Sequence, residues 1–578
     1  MQLSFFDWAV LIAYLGFTLG VALVLRKRAS SGIEEFFVSG RNTHWWLAGV
    51  SMVATTFAAD TPLAVTGMTA TGGVAGNWLW WNFALSGLLT TFFFARLWRR
   101  CGVLTDVELA ELRYSGRPAA FLRGFRAAYL AFVVNVIVLG WVNLAMVKIL
   151  MLTLGIDKPQ AVAATLGVTA LTCVAAAMGG LRGVLITDML QFVIMLGMAI
   201  LLAVYAVNGV GGLDGLQTRL LEIDPTGGLT AFWPRADSPL LPFATLATYL
   251  AVVWWGTWYP GSEPGGGGFI AQRMFSTRDE REAQLATLSF NVLNFSVRPW
   301  PWILVALVAL VVYPDLQDKE AGYMQVMFDY LPASLRGLML AGFLAAFMST
   351  VSTNLNWGAG YLVSDLYRRF LRPEASEKQL ISASRWATAL LAVLASIATF
   401  YMDSIAGAWK WLLAAGAGTG GVLILRWFWW RVNAWSEIAA MTAAAVISAA
   451  LQFGWGYDTD KPLEFAHVML ITVSLTTLIW VVITLLTKPE PAAKLESFYR
   501  VARPYRRGWA PVAAAAPDVH PQTGAIRDFQ GWIASCALVY CSLFGVGKLL
   551  LANASAAAPW LLVTVVSAVW VARCVRES

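Results

Sequence analysis

Apolar runs of roughly 20 residues, the length that crosses a bilayer as a helix, follow one another along this chain from end to end. They fall near 7–25, 45–75, 77–97, 124–153, 159–179, 183–207, 241–270, 286–313, 336–362, 384–402, 406–428, 434–454, 465–487, 531–551 and 558–573, which predicts about fifteen membrane helices. Two runs are interrupted. Residues 52–68 read MVATTFAADTPLAVTGM, with Asp60 and Pro62 at the centre, and residues 254–273 read WWGTWYPGSEPGGGGFIAQR, with Pro260, Glu263, Pro264 and four glycines inside. Proline lacks the N–H that a helix interior needs, and each glycine costs about 1 kcal/mol relative to alanine there, so both helices are expected to unwind in mid-membrane. Each break opens a group of five runs, and the two groups cross in opposite directions. Discontinuous helices at matching positions of two inverted halves point to the midplane site of a secondary transporter, with free carbonyls for a cation and a helix dipole for an anion.

Composition agrees. Of 578 residues, 58% are hydrophobic and 13% charged, about half the charge of an ordinary soluble domain, and the mean hydropathy is +0.64. The first run ends in Arg26-Lys27-Arg28 without a basic stretch before it, which reads as a retained span rather than a cleaved leader. The net charge of +7 belongs to loops, not to a nucleic-acid surface. Arg26–28, Arg41, Arg96–100, Arg113–126, Arg182, Arg273–281, Arg368–385, Arg426, Arg431 and the basic residues of 494–507 are expected on one side, with acids around 214–237, 315–329 and 458–464 on the other. The positive-inside rule then predicts an N-terminus outside and a C-terminus in the cytoplasm, for a multi-pass protein expected in the plasma membrane, or in the inner membrane if bacterial. Residues 105–126 read as an amphipathic surface helix, and 497–527, rich in proline and alanine, as a linker before a terminal helix pair.

Chemistry is sparse. The five cysteines and three histidines form no ligand spacing, and no nucleophile–base constellation or phosphate loop emerges, so an enzyme or an ATP-driven pump is not expected. Gly416, Gly418, Gly420 and Gly421 mimic a dinucleotide fingerprint without a preceding strand, and close helix packing explains them better. The ninth run carries a stripe: Ala346, Ser349, Thr350 and Thr353 lie on one helical face, with Ser352 on its edge. Neutral hydroxyls suit a monovalent cation; packing through small residues is the competing explanation. Asp60, Asp188 and Arg298 stand inside apolar runs, where an ionisable group needs a partner or a function.

Four segments, VLTDVELAELRYSG at 103–116, GGLRGVLITDMLQF at 179–192, the IAQR that closes the second break, and LAAFMSTVSTNLNWGAGYLVSDLY at 344–367, resemble the sodium:solute symporter family across about residues 5–485. The resemblance implies an all-α polytopic membrane protein with a leucine-transporter-like 5+5 inverted-repeat fold, one extra N-terminal helix and about four extra C-terminal helices. The chain would then divide into an extra helix (1–30), a first repeat (40–210), a second, inverted repeat (240–430), accessory helices (431–490), a cytoplasmic linker (491–530) and a terminal pair (531–578). It also implies coupling to one or two Na+ ions. The main sodium site would comprise the carbonyls of Ala58, Thr61 and Ala346 and the hydroxyls of Ser349 and Thr350; a second would comprise Asp188, Ser349, Ser352 and Thr353. Asp60 resembles the acid that proline symporters carry in the same stretch.

The family's sugar-contacting polar residues are replaced here by Val65 and by the aromatic run at 78–82, which includes Trp81. Asp60, Glu263 and Arg298 are the groups able to select a charged or zwitterionic solute. The expected function is sodium-coupled import of a small polar organic solute (sugar or polyol, amino acid or carboxylate) by alternating access, in contact with the lipid bilayer and no nucleic acid. A proton-coupled symporter using Asp60 or Asp188, or a sodium-leak channel, are the alternatives.

Overall fold

A computed structural model describes residues 5–258, 261, 263–402 and 412–576. Pro260, and residues 403–411 at the start of the eleventh expected span, lie outside the described residues. The described chain is almost entirely helical: α1 (Phe5–Ala29), α2 (Trp45–Thr56), α3 (Thr61–Gly72), α4 (Gly116–Leu154), α5 (Lys158–Gly209), α6 (Phe243–Gly256), α7 (Gly268–Ser276), α8 (Glu280–Val312), α9 (Ala333–Leu371), α10 (Glu377–Phe400), α11 (Gly420–Phe428), α12 (Ala434–Gly454), α13 (Pro462–Leu486), α14 (Ala525–Leu551) and α15 (Ala554–Arg576). Between α3 and α4, residues 78–101 run through four short helical pieces.

Ten of these helices are long and apolar enough to cross a membrane, and the bent pair α2/α3 brings the number to eleven. The difference from about fifteen expected crossings has a physical source. At 1.5 Å per residue, α5 would extend about 78 Å, more than twice the hydrocarbon thickness of about 30 Å. Gly180, at φ 56° and ψ −163°, breaks it into two crossings. The 78–101 stretch, the α6/α7 pair and α11 are divided or short, but they occupy the positions of the remaining predicted spans.

Both predicted breaks are present. Helix α2 ends as Phe57 leaves helical geometry, and α3 restarts at Thr61 with Pro62 in its first turn, where a missing N–H does no harm. The two halves are bent by 61°. Helix α6 stops at Gly256 and α7 starts at Gly268. In the glycine run between them, Gly265, Gly266 and Gly268 have φ of 79°, 80° and 55°, values that residues with a Cβ rarely adopt. Helices α2, α7 and α9 pack against one another, and α5 lies along both α2 and α9.

Several basic residues expected in loops are instead buried and paired. Arg96 bonds Asp528 at 2.7 Å, and Arg126 and Arg426 both reach Glu437, at 2.8 and 3.3 Å. Arg113 is fully buried against Tyr114, Phe498 and Trp509. Residues 105–126 are not a separate surface helix, because Gly116 onward continues into α4. The expected linker is folded too. It contains a helix at Ala492–Ala502, and Trp509 is buried with its Nε1 donating to the Trp427 carbonyl at 2.8 Å. The glycines of 416–420 are packing contacts, as expected: a Cβ on Gly420 would stand 1.9 Å from the Trp255 carbonyl oxygen.

Candidate functional site

The last carbonyls of a helix have no intrahelical partner, and the end of α2 directs such carbonyls at the hydroxyl stripe of α9. Thr350 Oγ1 donates to the Thr55 carbonyl at 3.0 Å or to the Ala346 carbonyl at 3.2 Å. Thr353 and Thr55 join their hydroxyls at 3.0 Å. Ala346, Ser349, Thr350 and Thr353 are all buried, and Ala58 lies one turn beyond Thr55, its carbonyl accepting the Thr61 N–H at 3.1 Å. The stripe of α9 thus meets the last turn of α2, at the edge of the first break.

Asp188 joins them from α5. One of its oxygens accepts the Ser349 hydroxyl at 2.7 Å and the other accepts the Ser51 hydroxyl at 2.5 Å. A hydroxyl that gives its proton to a carboxylate keeps its oxygen lone pairs free to accept, and Ser349 is held in that state by Asp188. Ser352 is placed differently from the other three residues of the second set. It donates to the Ser349 carbonyl at 3.1 Å and lines a small cavity with Thr18, Thr187 and Gln191, toward α1.

Arg273 corrects the sequence expectation. Counted there among loop cations, it is completely buried and stands 3.7 Å from Asp188. It donates to Thr353 Oγ1 at 2.6 Å, to Ser51 Oγ at 3.2 Å and to Gln272 Oε1 at 2.9 Å. Gln272 in turn donates to Asn356 at 2.8 Å. One polar network therefore ties α2, α5, α7 and α9 together, and Ser51, Thr55 and Arg273 are the members that sequence reasoning missed. The available signal was the position of Arg273 at the end of IAQR, in the last turn of the short helix after the break.

The expected solute residues separate into two places. Asp60, half-buried in the first break, and buried Arg298, at the head of the Pro299 half of α8, sense each other's charge. Asp60 Oδ1 and Arg298 Nε are both buried without a hydrogen-bond partner among the described residues. The Arg298 guanidinium donates to Thr56 Oγ1 at 3.2 Å and sits among Phe57, Trp80 and Trp302, 5.0–5.7 Å from their ring centres. Within the aromatic run at 78–82, the residue beside Arg298 is thus Trp80 rather than Trp81. Trp81 is fully buried and packs on Trp78 and Phe544, and Val65 is fully buried in α3. Glu263 lies elsewhere, against Asp106, Gly267, Gly268 and Trp357.

Two broken spans, a hydroxyl stripe and a buried carboxylate on a scaffold of many membrane-length helices fit a secondary transporter of the leucine-transporter fold. The comparisons agree: the chain aligns with the substrate-bound outward-open state of a Na+-coupled sialic acid symporter at a TM-score of 0.68 and 22% identity, over 85% of this chain and 99% of that one. The sodium:solute symporter family model matches residues 36–444, and the chain belongs to that family, in which Na+ is the coupling ion. It is 25% identical to sodium/glucose cotransporter 4 of Danio rerio, over 93% of this chain and 88% of the relative. It is 23% identical to the sodium/glucose cotransporter of Vibrio parahaemolyticus, over 78% and 86%.

Proposed function

We propose that the protein imports a small, charged or zwitterionic organic solute together with Na+ by alternating access, with its N-terminus outside and its C-terminus in the cytoplasm. The observation that carries this reading is the junction of the α2 end with the α9 stripe. Na+ binds there through the carbonyls of Ala58, Thr61 and Ala346 and the hydroxyls of Ser349 and Thr350. By holding the first broken span against α9, the ion completes the solute site a turn away. Asp60 and Arg298 each keep an unpaired polar atom there. The guanidinium takes a carboxylate, Asp60 takes a cationic group, and the rings of Phe57, Trp80 and Trp302 enclose the apolar part. This arrangement supports an amino acid or small carboxylate over a neutral sugar.

A second Na+ at Asp188, Ser349, Ser352 and Thr353 must contend with Arg273. Two like charges 4 Å apart repel by about 4 kcal/mol at an effective dielectric constant of 20, so in this conformation Arg273 is the cation that Asp188 holds. A second ion binds there only when Arg273 withdraws. The test is uptake of labelled amino acids, carboxylates, sugars and polyols into proteoliposomes, with Na+ or choline outside. Sodium-stimulated uptake of a charged or zwitterionic solute is expected, and Arg298→Gln should weaken it at least tenfold. Sodium-stimulated uptake restricted to neutral sugars sinks the solute assignment, and uptake indifferent to Na+ sinks the coupling.

A further inference from the structure

Glu263 is the one carboxylate in the second break, and neither proposed site uses it. It is 3% exposed, and both of its oxygens are buried without a hydrogen-bond partner among the described residues. Its surroundings offer little to an ionised group. A Cβ placed on Gly268 would stand 2.4 Å from Glu263 Oε1 and 3.3 Å from the Trp357 ring, so the carboxyl lies against a glycine and an indole edge. On the same side is a second acid: a Cβ on neighbouring Gly267 would be 3.3 Å from Asp106 Oδ2 and 3.2 Å from Glu263 Cγ. Asp106, in the turn after the 78–101 stretch, is 3% exposed and accepts the Tyr361 hydroxyl at 2.5 Å; that hydroxyl accepts the Trp357 indole N–H at 2.6 Å.

The other charge facing this pocket is Arg126 of α4, and it is already committed. It bonds Glu437 at 2.8 Å, and Glu437 is shared with Arg426 at 3.3 Å and with the Tyr114 hydroxyl at 2.7 Å. Tyr361 of α9 completes the titratable groups around the pair. An isolated carboxylate in a low-dielectric interior is prohibitively costly and takes a proton instead, and two carboxyls sharing one site do not both ionise. Asp106 has hydrogen-bonding support for its charge. Glu263 has none.

We propose that Glu263 is a proton-binding site, with H+ as its ligand: its carboxylate takes up one proton to become a neutral acid while the glycine loop is closed against Asp106. Loss of that proton sets two carboxylates against each other and drives the second broken span away from the turn at 105–108. The glycines at 265, 266 and 268 leave that segment free of side chains that would resist the movement. This inference is independent of the solute and of the sodium stoichiometry.

The test is infrared spectroscopy of the full-length protein in liposomes, following the carbonyl stretch of protonated carboxylic acids against pH in choline and in Na+ media. A protonated-acid band is expected at neutral pH in both media, absent from Glu263→Gln. In Asp106→Asn, where the facing charge is gone, the band should still be present at neutral pH but should be lost on alkalinisation at a lower pH than in the wild type. Coincident spectra for wild type and Glu263→Gln show an ionised Glu263 and overturn the proposal. Disappearance of the band on adding Na+ makes sodium the ligand and overturns it as well. Should Glu263→Gln fail to fold, an identical pH response in Asp106→Asn and wild type overturns it on its own.

Discussion

Asp188→Asn isolates the electrostatic role of the network. Ser349 Oγ is 2.7 Å from Asp188, and a sodium-sized cation sits roughly 2.4 Å from an oxygen ligand, so the ion and the carboxylate are at most about 5 Å apart. At an effective dielectric constant of 20, that separation is worth about 3 kcal/mol, or roughly two decades of sodium affinity at 1.4 kcal/mol per decade. Asparagine keeps the shape and can still accept the Ser349 proton, but it leaves Arg273 as an uncompensated buried charge. Titrating Na+ against tryptophan fluorescence in purified protein reads the affinity directly. Asp188→Asn should shift the midpoint roughly 100-fold upward, and adding Arg273→Gln should recover most of the loss by restoring neutrality. A midpoint within threefold of wild type in the single variant refutes the argument. A double variant no better than the single one assigns the effect to lost structure rather than to charge.

Three further outcomes follow from the same geometry. Ser349→Ala and Thr350→Val each remove one oxygen and should each raise the sodium concentration for half-maximal uptake at least tenfold, which flux assays check. Glu437→Gln strips the carboxylate from two buried guanidiniums and should lower stability by about 3–5 kcal/mol, seen as a fall in the thermal unfolding midpoint. Gly420→Ala places a methyl group 1.9 Å from the Trp255 carbonyl oxygen and should abolish folded protein, whereas Gly197→Ala, with nothing within 4 Å of its Cβ, should be tolerated.

Much of this architecture was legible because a membrane helix declares itself by length and composition. The two breaks were legible because Asp60, Pro62 and the 265–268 glycines are costly in an apolar helix. The stripe from Ala346 to Thr353 was legible because helical periodicity alone puts those residues on one face. Arg273 was misjudged because proximity to other arginines resembles a loop; nothing local reveals that its partner is Asp188, on another helix. The same holds for Arg96, Arg126 and Arg426, whose acids Asp528 and Glu437 are far along the chain. Trp80 was passed over for Trp81 because the helix at Trp78–Trp81 has only four residues, too few to set a phase. The 491–530 segment reads as a linker by composition, yet Trp509 and Tyr499 find a buried place that only the folded helices above them create.

The position of Arg273 bears on how steep a gradient the transporter sustains. Each positive charge moving through 100 mV contributes about 2.3 kcal/mol. A single sodium ion therefore supports roughly 40- to 50-fold accumulation of a neutral or zwitterionic solute, and two support roughly 10³-fold. A guanidinium covalently attached beside Asp188 neutralises that carboxylate without moving down the sodium gradient, so it contributes cohesion but no driving force. Retaining Arg273 against Asp188 through the cycle thus fixes the ratio at one charge per zwitterionic solute. Reversal-potential measurements on proteoliposomes give this ratio directly. A value of two requires Arg273 to leave Asp188 when the second ion binds, and Arg273→Gln should then leave the ratio at two while raising affinity for that ion.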